Sequence, residues 1–183
     1  MYGIELLVEE HKNILKFIAF AEHKCCRILE GEEPDTDLFR ECIAFARNYA
    51  DKHHHGKEEK ILFRVMTDNL GALADKLIKN GMLVEHDLGR YHMGELESAL
   101  NRYDETKKIE DKLAMITHLT GYADLLKRHI GKEDQVVYTF AERMLGEDLK
   151  ANVNEETQKF EEETKEVPKQ YLAWLTKQLA TIS

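Results

Sequence analysis

An internal repeat with an offset of 75 residues restricts how this chain can fold. The segment HHGKEEKILF begins at His54 and matches HIGKEDQVVY, which begins at His129. The same offset relates the dipeptide Glu10-His11 to Glu85-His86. Each half of the repeat therefore carries one early histidine and one later His-x-x-x-Glu. Two such halves, folded as helix pairs with pseudo-twofold symmetry, would face each other across a single site.

The sequence predicts an all-helical protein. Pro34 and Pro168 are the only prolines among its 183 residues, and good helix formers fill the stretches between the few glycines. Helices are expected over about residues 4–30, 36–66, 70–79, 82–103 and 108–145, with Asp35 or Thr36 as a cap and a break at Asn80-Gly81. The tail is predicted to form one or two amphipathic helices divided near Pro168, which pack through Phe160, Leu172, Leu175 and Leu179.

These elements predict one domain over residues 1–183 of the all-α class. Four long helices with short connections favour an up-down-up-down antiparallel four-helix bundle. Its core is expected over about residues 3–146, and the C-terminal helical extension over about residues 147–183.

Charge and composition narrow the classes of partner. The formal net charge of −9 argues against nucleic acid or an anionic membrane surface as a partner. No apolar segment reaches the roughly 20 residues needed to span a bilayer, and the first residues lack the features of a secretory signal. The three cysteines do not form the pattern of a disulfide framework. We therefore expect a cytoplasmic protein, whose oligomeric state the sequence leaves open.

The repeated histidines and glutamates are candidate metal ligands. Residues four apart share one face of a helix, so each His-x-x-x-Glu presents an imidazole and a carboxylate together. The helical positions of all six side chains fall on apolar stripes, and a buried carboxylate costs several kcal/mol unless a cation or good hydrogen bonds compensate it. Nitrogen and oxygen ligands without thiolate suit iron, manganese or zinc. The candidate ligands are His11, His54, Glu58, His86, His129 and Glu133.

Simpler explanations exist for each residue alone. A single buried histidine is more often a hydrogen-bonded core residue, and one His-x-x-x-Glu is commonly a surface pair. The agreement of both halves at one offset favours metal. The triplet His53-His54-His55 leaves a second register open, because His55 and Glu59 also lie four apart. The repeat favours His54 and Glu58, since it aligns His55 with Ile130, which cannot ligate; His55 would then support the site from its flank.

The segments EEH, HHGKEEKILF, EHDLGR and HIGKEDQVVY resemble the hemerythrin-like (HHE cation-binding) proteins over about His11 to Phe140. The resemblance implies a four-helix bundle around an oxo- or hydroxo-bridged di-iron centre, with the same six residues as ligands and zinc or manganese as less favoured occupants. Oxygen-carrying hemerythrins have two histidines four apart on the third helix, whereas the residue four beyond His86 is Arg90 here. The set more closely resembles the iron-centre repair and nitric-oxide-responsive members.

The resemblance leaves three functions open. The first is binding of dioxygen, peroxide or nitric oxide for sensing, storage or detoxification. The second is an enzyme that reduces peroxide or nitric oxide, or donates iron for iron–sulfur repair. The third is a structural or metal-storage protein. Tyr122 and Arg90 are further candidates near the site, where Tyr122 could hydrogen-bond to an oxygen-containing ligand; an ordinary core tyrosine and a solvated arginine are the alternatives.

Overall fold

A computed structural model describes residues 1–182. Within that range the chain forms six helical segments and no strand. We label them α1 (Tyr2–Leu29), α2 (36–69), α3 (71–106), α4 (109–144), α5 (Glu147–Thr164) and α6 (Glu166–Leu179). No helix among the described residues is both long and apolar enough to cross a membrane.

Three of these helices contain π-helical turns, in which the backbone hydrogen bonds run between residues five apart. In α2, π turns cover Ala46–His55 and Glu58–Leu62, between the α-helical ends Thr36–Phe45 and Phe63–Asn69. In α3, the π turns of Ile78–Met82 join Gly71–Leu77 to Leu83–Thr106. In α4, Glu133–Val137 separates Ile109–Lys132 from Tyr138–Met144.

The helix ends show local causes that the sequence partly predicted. Asp35 caps α2, because its side chain accepts a hydrogen bond of 3.0 Å from the backbone N–H of Leu38. Between α3 and α4, Lys107 adopts a left-handed conformation with φ of 52° and Lys108 is extended. The connection therefore needs only two residues.

The predicted break at Asn80-Gly81 is wrong, because the chain passes through both residues as helix. Ile78 and Met82 on either side are 1% and 3% exposed, and their burial outweighs the weak helix propensity of Asn and Gly. The chain does break at the other expected interruption, between the helices predicted over about residues 36–66 and 70–79: it lies at Leu70 and Gly71, where Gly71 has a φ of 71°. Glycine adopts that left-handed conformation without steric cost.

The first four helices pack in a ring, in which α1 and α3 each contact both α2 and α4. Their apolar side chains form two separate clusters. The larger contains Phe17, Phe45, Leu96 and Leu119, and the smaller contains Ile4, Phe63, Met82 and Val137. Along the chain, α1 and α3 pass from the smaller cluster to the larger, whereas α2 and α4 pass from the larger to the smaller.

Helices α5 and α6 cover the side of the ring formed by α1 and α2. The apolar residues predicted to face the bundle do so: Leu175 is buried, Leu172 and Leu179 pack on the larger cluster, and Phe160 packs on the smaller. The side between α2 and α3 is left for the cleft described below.

Candidate metal centre

The six residues singled out from the repeat lie together between the two apolar clusters. Each is at most 1% exposed: His11, His54, Glu58, His86, His129 and Glu133. Apolar side chains above and below therefore keep water from both ends of this polar layer.

The π turns place these side chains. Successive residues of an α-helix are turned by about 100°, so three in a row span more than half of its circumference. A turn closed by bonds between residues five apart contains more residues, and the angle between neighbours is smaller. In α2 these turns hold His54 and His55, which are 1% and 4% exposed, in the same cluster. His53, 2% exposed, is buried instead against Phe160 and Thr164 of α5. The sequence showed no sign of these turns.

Glu58 and Glu133 occupy the centre of the layer. Glu58 Oε2 is 3.7 Å from His54 Nε2 and 3.5 Å from His86 Nε2. Glu133 Oε1 is 3.2 Å from His129 Nε2 and 3.8 Å from His86 Nε2. Each carboxylate therefore faces imidazoles from more than one helix.

The atoms able to ligate a cation fall into two groups that share Glu58. Within each group they lie within 4.8 Å of one another. One group is His11, His54, Glu58 and Glu133, and the other is His55, Glu58, His86 and His129. Glu58 is therefore the carboxylate common to both groups.

Each of the four histidines from the repeat is held from behind by a carboxylate on its Nδ1 atom. The pairs are His54–Glu10 at 2.8 Å, His129–Glu85 at 3.0 Å, His86–Glu59 at 2.6 Å and His11–Asp134 at 2.8 Å. Such a carboxylate fixes the tautomer with hydrogen on Nδ1 and leaves the Nε2 lone pair for a metal.

The supporting carboxylates obey the same symmetry as the histidines. Adding 75 to both members of the pair His54–Glu10 gives the pair His129–Glu85. Residues Glu59 and Asp134 are likewise 75 apart and support histidines of the opposite half. The repeat aligns these four acids, but the sequence offers only Glu59 a role, as an alternative ligand. It does not reveal them as supports, because the histidines they contact lie on other helices.

Two ring nitrogens approach each other closely at the centre. His86 Nε2 and His129 Nε2 are 3.1 Å apart, although both rings use Nδ1 to contact carboxylates. Two neutral nitrogens that both present lone pairs repel, and a proton or cation between them would remove that repulsion. Nitrogens about 2.1 Å from one ion and at right angles to each other would be about 3 Å apart.

The hydrogen bonds of the described residues leave the centre unsatisfied. Of the buried side-chain nitrogen and oxygen atoms without a hydrogen-bond partner, all but Asp75 Oδ1 belong to it: His54 Nε2, Glu58 Oε2, Glu133 Oε1 and Glu133 Oε2. A buried unsatisfied group typically costs about 1–3 kcal/mol. Cations between these atoms would satisfy all four, so the residues present fit a metal.

Without a cation, the two central carboxylates, Glu58 and Glu133, have pKa values shifted in opposite directions. Burial and the neighbouring charge of Glu133 raise the pKa of Glu58 well above its usual value. Burial opposes ionisation of Glu133 as well, but the charge of His129 and the nearby His11 ring, whose Nε2 atom is 3.3 Å from Glu133 Oε2, hold its pKa well below the usual value. Two carboxylates that share a site cannot both ionise readily, and cations would remove that restriction.

Tyr138 was not singled out from the sequence, yet it reaches the centre. Its hydroxyl donates a hydrogen bond of 2.5 Å to Glu58 Oε1 and lies 3.4 Å from His11 Nε2. Its ring stacks on that of His11, with centroids 5.5 Å apart. The repeat aligns Tyr138 with Phe63, which stacks on His86 at 5.9 Å. The change from Phe to Tyr within the repeat was the available signal.

A third group of residues of the types that ligate metals surrounds the ammonium group of a lysine. Glu10, His53 and Glu161 converge next to the centre. The Lys57 ammonium donates to Glu10 and to Glu161, the latter at 2.5 Å, and lies 3.1 Å from His53 Nε2. The Nδ1 atom of His53 lies 3.1 Å from the Thr164 hydroxyl. Helix α5 is thus tied to the centre through Glu161 and Thr164.

The three further candidates near the site, His55, Arg90 and Tyr122, line one cavity. Its volume is about 320 Å³, and it lies between α2, α3 and α4 against His55, His86, Arg90 and Tyr122. His55 also belongs to one of the two groups of candidate ligands. Tyr122 is 3% exposed, and its hydroxyl has no hydrogen-bond partner among the described residues.

Arg90 connects several acids at the mouth of this cavity. It bonds Asp51 at 2.7 Å, Glu59 at 2.7 Å and Asp87 at 3.0 Å. Glu59 in turn holds His86, so Arg90 acts on the centre only through carboxylates.

A helical bundle that buries four carboxylate-supported imidazoles around two unsatisfied carboxylates defines a cation-binding protein of the helical-bundle class. The hemerythrin HHE cation-binding domain family matches residues 2–141, and the chain belongs to this family. The match ends before α5. Comparisons with curated proteins and with solved structures found no match.

Proposed function

We propose that this protein holds two iron ions between His11, His54, Glu58, His86, His129 and Glu133, and that it binds dioxygen, peroxide or nitric oxide. The observation that carries the proposal is the set of unsatisfied buried atoms on His54, Glu58 and Glu133 at the meeting point of four imidazoles. Membership of a cation-binding family supports it. Nitrogen and oxygen ligands of this kind suit iron, with zinc or manganese as alternatives.

We infer that the helices run up-down-up-down. The opposite order in which successive helices meet the two apolar clusters supports this arrangement. So does the two-residue connection between α3 and α4.

The surrounding residues favour a small oxidant as ligand. When bound, iron would supply the electrons for reducing it. The cavity of about 320 Å³ against His55 and His86 is of a size for a small molecule. The Tyr122 hydroxyl can donate a hydrogen bond to a ligand there, and burial raises the pKa of this phenol, so it keeps its proton. The carboxylates on the Nδ1 atoms hold the imidazoles in the ligating tautomer.

Replacing His54 and His129 together by alanine should abolish metal binding. We expect about two irons per chain in the wild-type protein after anaerobic loading with ferrous salt, and close to none in His54→Ala/His129→Ala. Metal analysis of the desalted protein and its near-ultraviolet spectrum measure this. His23→Ala, at an exposed histidine outside the cluster, should retain both ions. A wild-type protein that takes up no iron would rule the proposal out.

The ligand is tested on the iron-loaded protein. Its absorption spectrum is recorded before and after exposure to oxygen, peroxide or nitric oxide. A change with at least one of them is expected, and no change with any would remove the oxidant-binding function while leaving metal binding intact.

Tyr138→Phe should separate the role of the phenol from that of the ring, since Phe63 is already phenylalanine at the matching position. Glu58 loses the donor to its Oε1 atom, so we expect the metal-free protein to lose about 1–3 kcal/mol of stability. Metal should reduce that loss by ligating Glu58. Urea unfolding of the metal-free and metal-loaded forms checks this, and an equal loss in both would contradict it.

An enzymatic role is the second candidate. The cavity next to His86 and the unpartnered Tyr122 hydroxyl would serve turnover as well as binding. Steady-state consumption of peroxide or nitric oxide with a supplied reductant would distinguish an enzyme from a stoichiometric binder.

A further inference from the structure

His55 is the residue at which the two halves of the centre differ most in chemistry. The repeat aligns it with Ile130, so one half has an imidazole where the other has a hydrocarbon side chain. His55 is 4% exposed, and its ring lies flat on that of His86, with centroids 3.8 Å and planes 8° apart. It meets His129 edge-on at 5.7 Å. His55 thus lies on the side of His86 and His129.

His55 lies within reach of the other candidate ligands. One of its ring nitrogens and the ligand atoms of Glu58, His86 and His129 all lie within 4.8 Å of one another. Ligands about 2.1 Å from one ion are at most about 4.2 Å apart. Placing all four on one ion would shorten the longest of these distances by some tenths of an ångström. It would also turn the His55 ring out of its stack on His86, because a ligated ion lies in the plane of each imidazole.

A carboxylate also lies behind His55, at a longer distance than behind the other four histidines and from the same helix. Its Nδ1 atom lies 3.4 Å from Asp51 Oδ1, and Asp51 is held by Arg90 through contacts of 2.7 to 3.2 Å. The same guanidinium bonds Glu59, the carboxylate that supports His86. Arg90 therefore holds the carboxylates behind His55 and His86 together.

The neighbouring histidine provides a contrast. The Nδ1 atom of His53 contacts Thr164, and its Nε2 atom contacts the Lys57 ammonium and Glu10. Both ring nitrogens of His53 are thus occupied. On His55, the nitrogen that does not face Asp51 has no hydrogen-bond partner among the described residues, and it is not one of the fully buried unsatisfied atoms, since His55 lines the cavity.

We propose that His55 is a fifth histidine ligand, which completes a three-histidine position with His86 and His129. The inference rests on the proposed two-metal centre. It makes the two positions unequal: the other has only His11 and His54 as imidazole ligands and faces the Tyr138 hydroxyl. The cavity lies against the three-histidine position.

The test compares the wild-type protein with His55→Ile, in which the repeat supplies the replacement residue from Ile130. Both are titrated anaerobically with ferrous iron, and separately with cobalt(II), in competition with a chelator. We expect the variant to bind one ion as before and the other at least about 10–100-fold more weakly, since loss of even a supporting partner costs that much. One component of the cobalt visible spectrum should change. His23→Ala should behave as the wild type.

A count of ligands on the unmodified protein does not depend on any variant. In cobalt-loaded wild-type protein, each ligating imidazole gives one exchangeable ring N–H proton shifted by the paramagnetic ion. Five such signals support the inference, and four overturn it. The count holds even if His55→Ile loses both ions, because it is made on the wild-type protein. Unchanged affinities and spectra in His55→Ile overturn it as well. Two bound ions with four signals leave the two-metal proposal standing, whereas a wild-type protein that binds fewer than two ions ends both.

Discussion

Lys57→Met is expected to destabilise the protein by about 3–5 kcal/mol, the usual loss when one partner of a buried ion pair is removed. The Lys57 side chain is 1% exposed and donates to Glu10 and Glu161, which are 6% and 23% exposed. Methionine fills a similar volume but leaves the two carboxylates next to each other without a cation. In a protein of this size the melting temperature should fall by about 6–20 °C.

The repeat supplies a matched control. Lys132 occupies the equivalent position and donates to Glu85, but its side chain is 48% exposed. Because exposed pairs contribute at most about 1 kcal/mol, Lys132→Met should change stability little. Calorimetry of the three proteins in the same metal-free buffer measures the difference. Equal small losses would show that water reaches Glu10 and Glu161 and that Lys57 does not neutralise them from within the core.

Removing metal is the second change with a large expected effect. Loading should satisfy the four unsatisfied atoms at the centre, and an ion present at a thousand times its dissociation constant stabilises the folded state by about 4 kcal/mol. The melting temperature of the iron-loaded protein should therefore exceed that of the chelator-treated protein by roughly 8–16 °C. Circular dichroism under anaerobic conditions records both curves.

The double variant His54→Ala/His129→Ala controls for effects of the chelator. It should melt at one temperature whether or not iron is present. Identical melting curves for loaded and chelated wild-type protein would mean that the centre takes no ion strongly enough to affect folding.

The helices followed from local chemistry, except where burial opposed it. Asp35 caps α2 as predicted, since capping depends on one side chain and a backbone group three residues away. The break expected at Asn80-Gly81 is absent because Ile78 and Met82 pack in the core. Helix propensity depends on residues close in sequence, whereas this packing involves side chains of other helices. The residues around Gly81 therefore could not show that packing would stabilise the helix there.

By itself, the sequence determined which residues meet. The offset of 75 brought His11, His54, His86 and His129 together, since equivalent faces of two similar helix pairs must coincide in a symmetric core. It also favoured Glu58 over Glu59, and these are 0% and 28% exposed at the side chain.

Only the tertiary structure decided how those residues are held. The carboxylates behind the imidazoles come from other helices, and Lys57 lies between α1 and α5, so no spacing along the chain could reveal them. The π turns that bury His55 beside His86 widen the helix where the side chains must converge. Local sequence fixes which face a residue occupies, but backbone turns and contacts between helices fix the direction and the partner of each ring nitrogen.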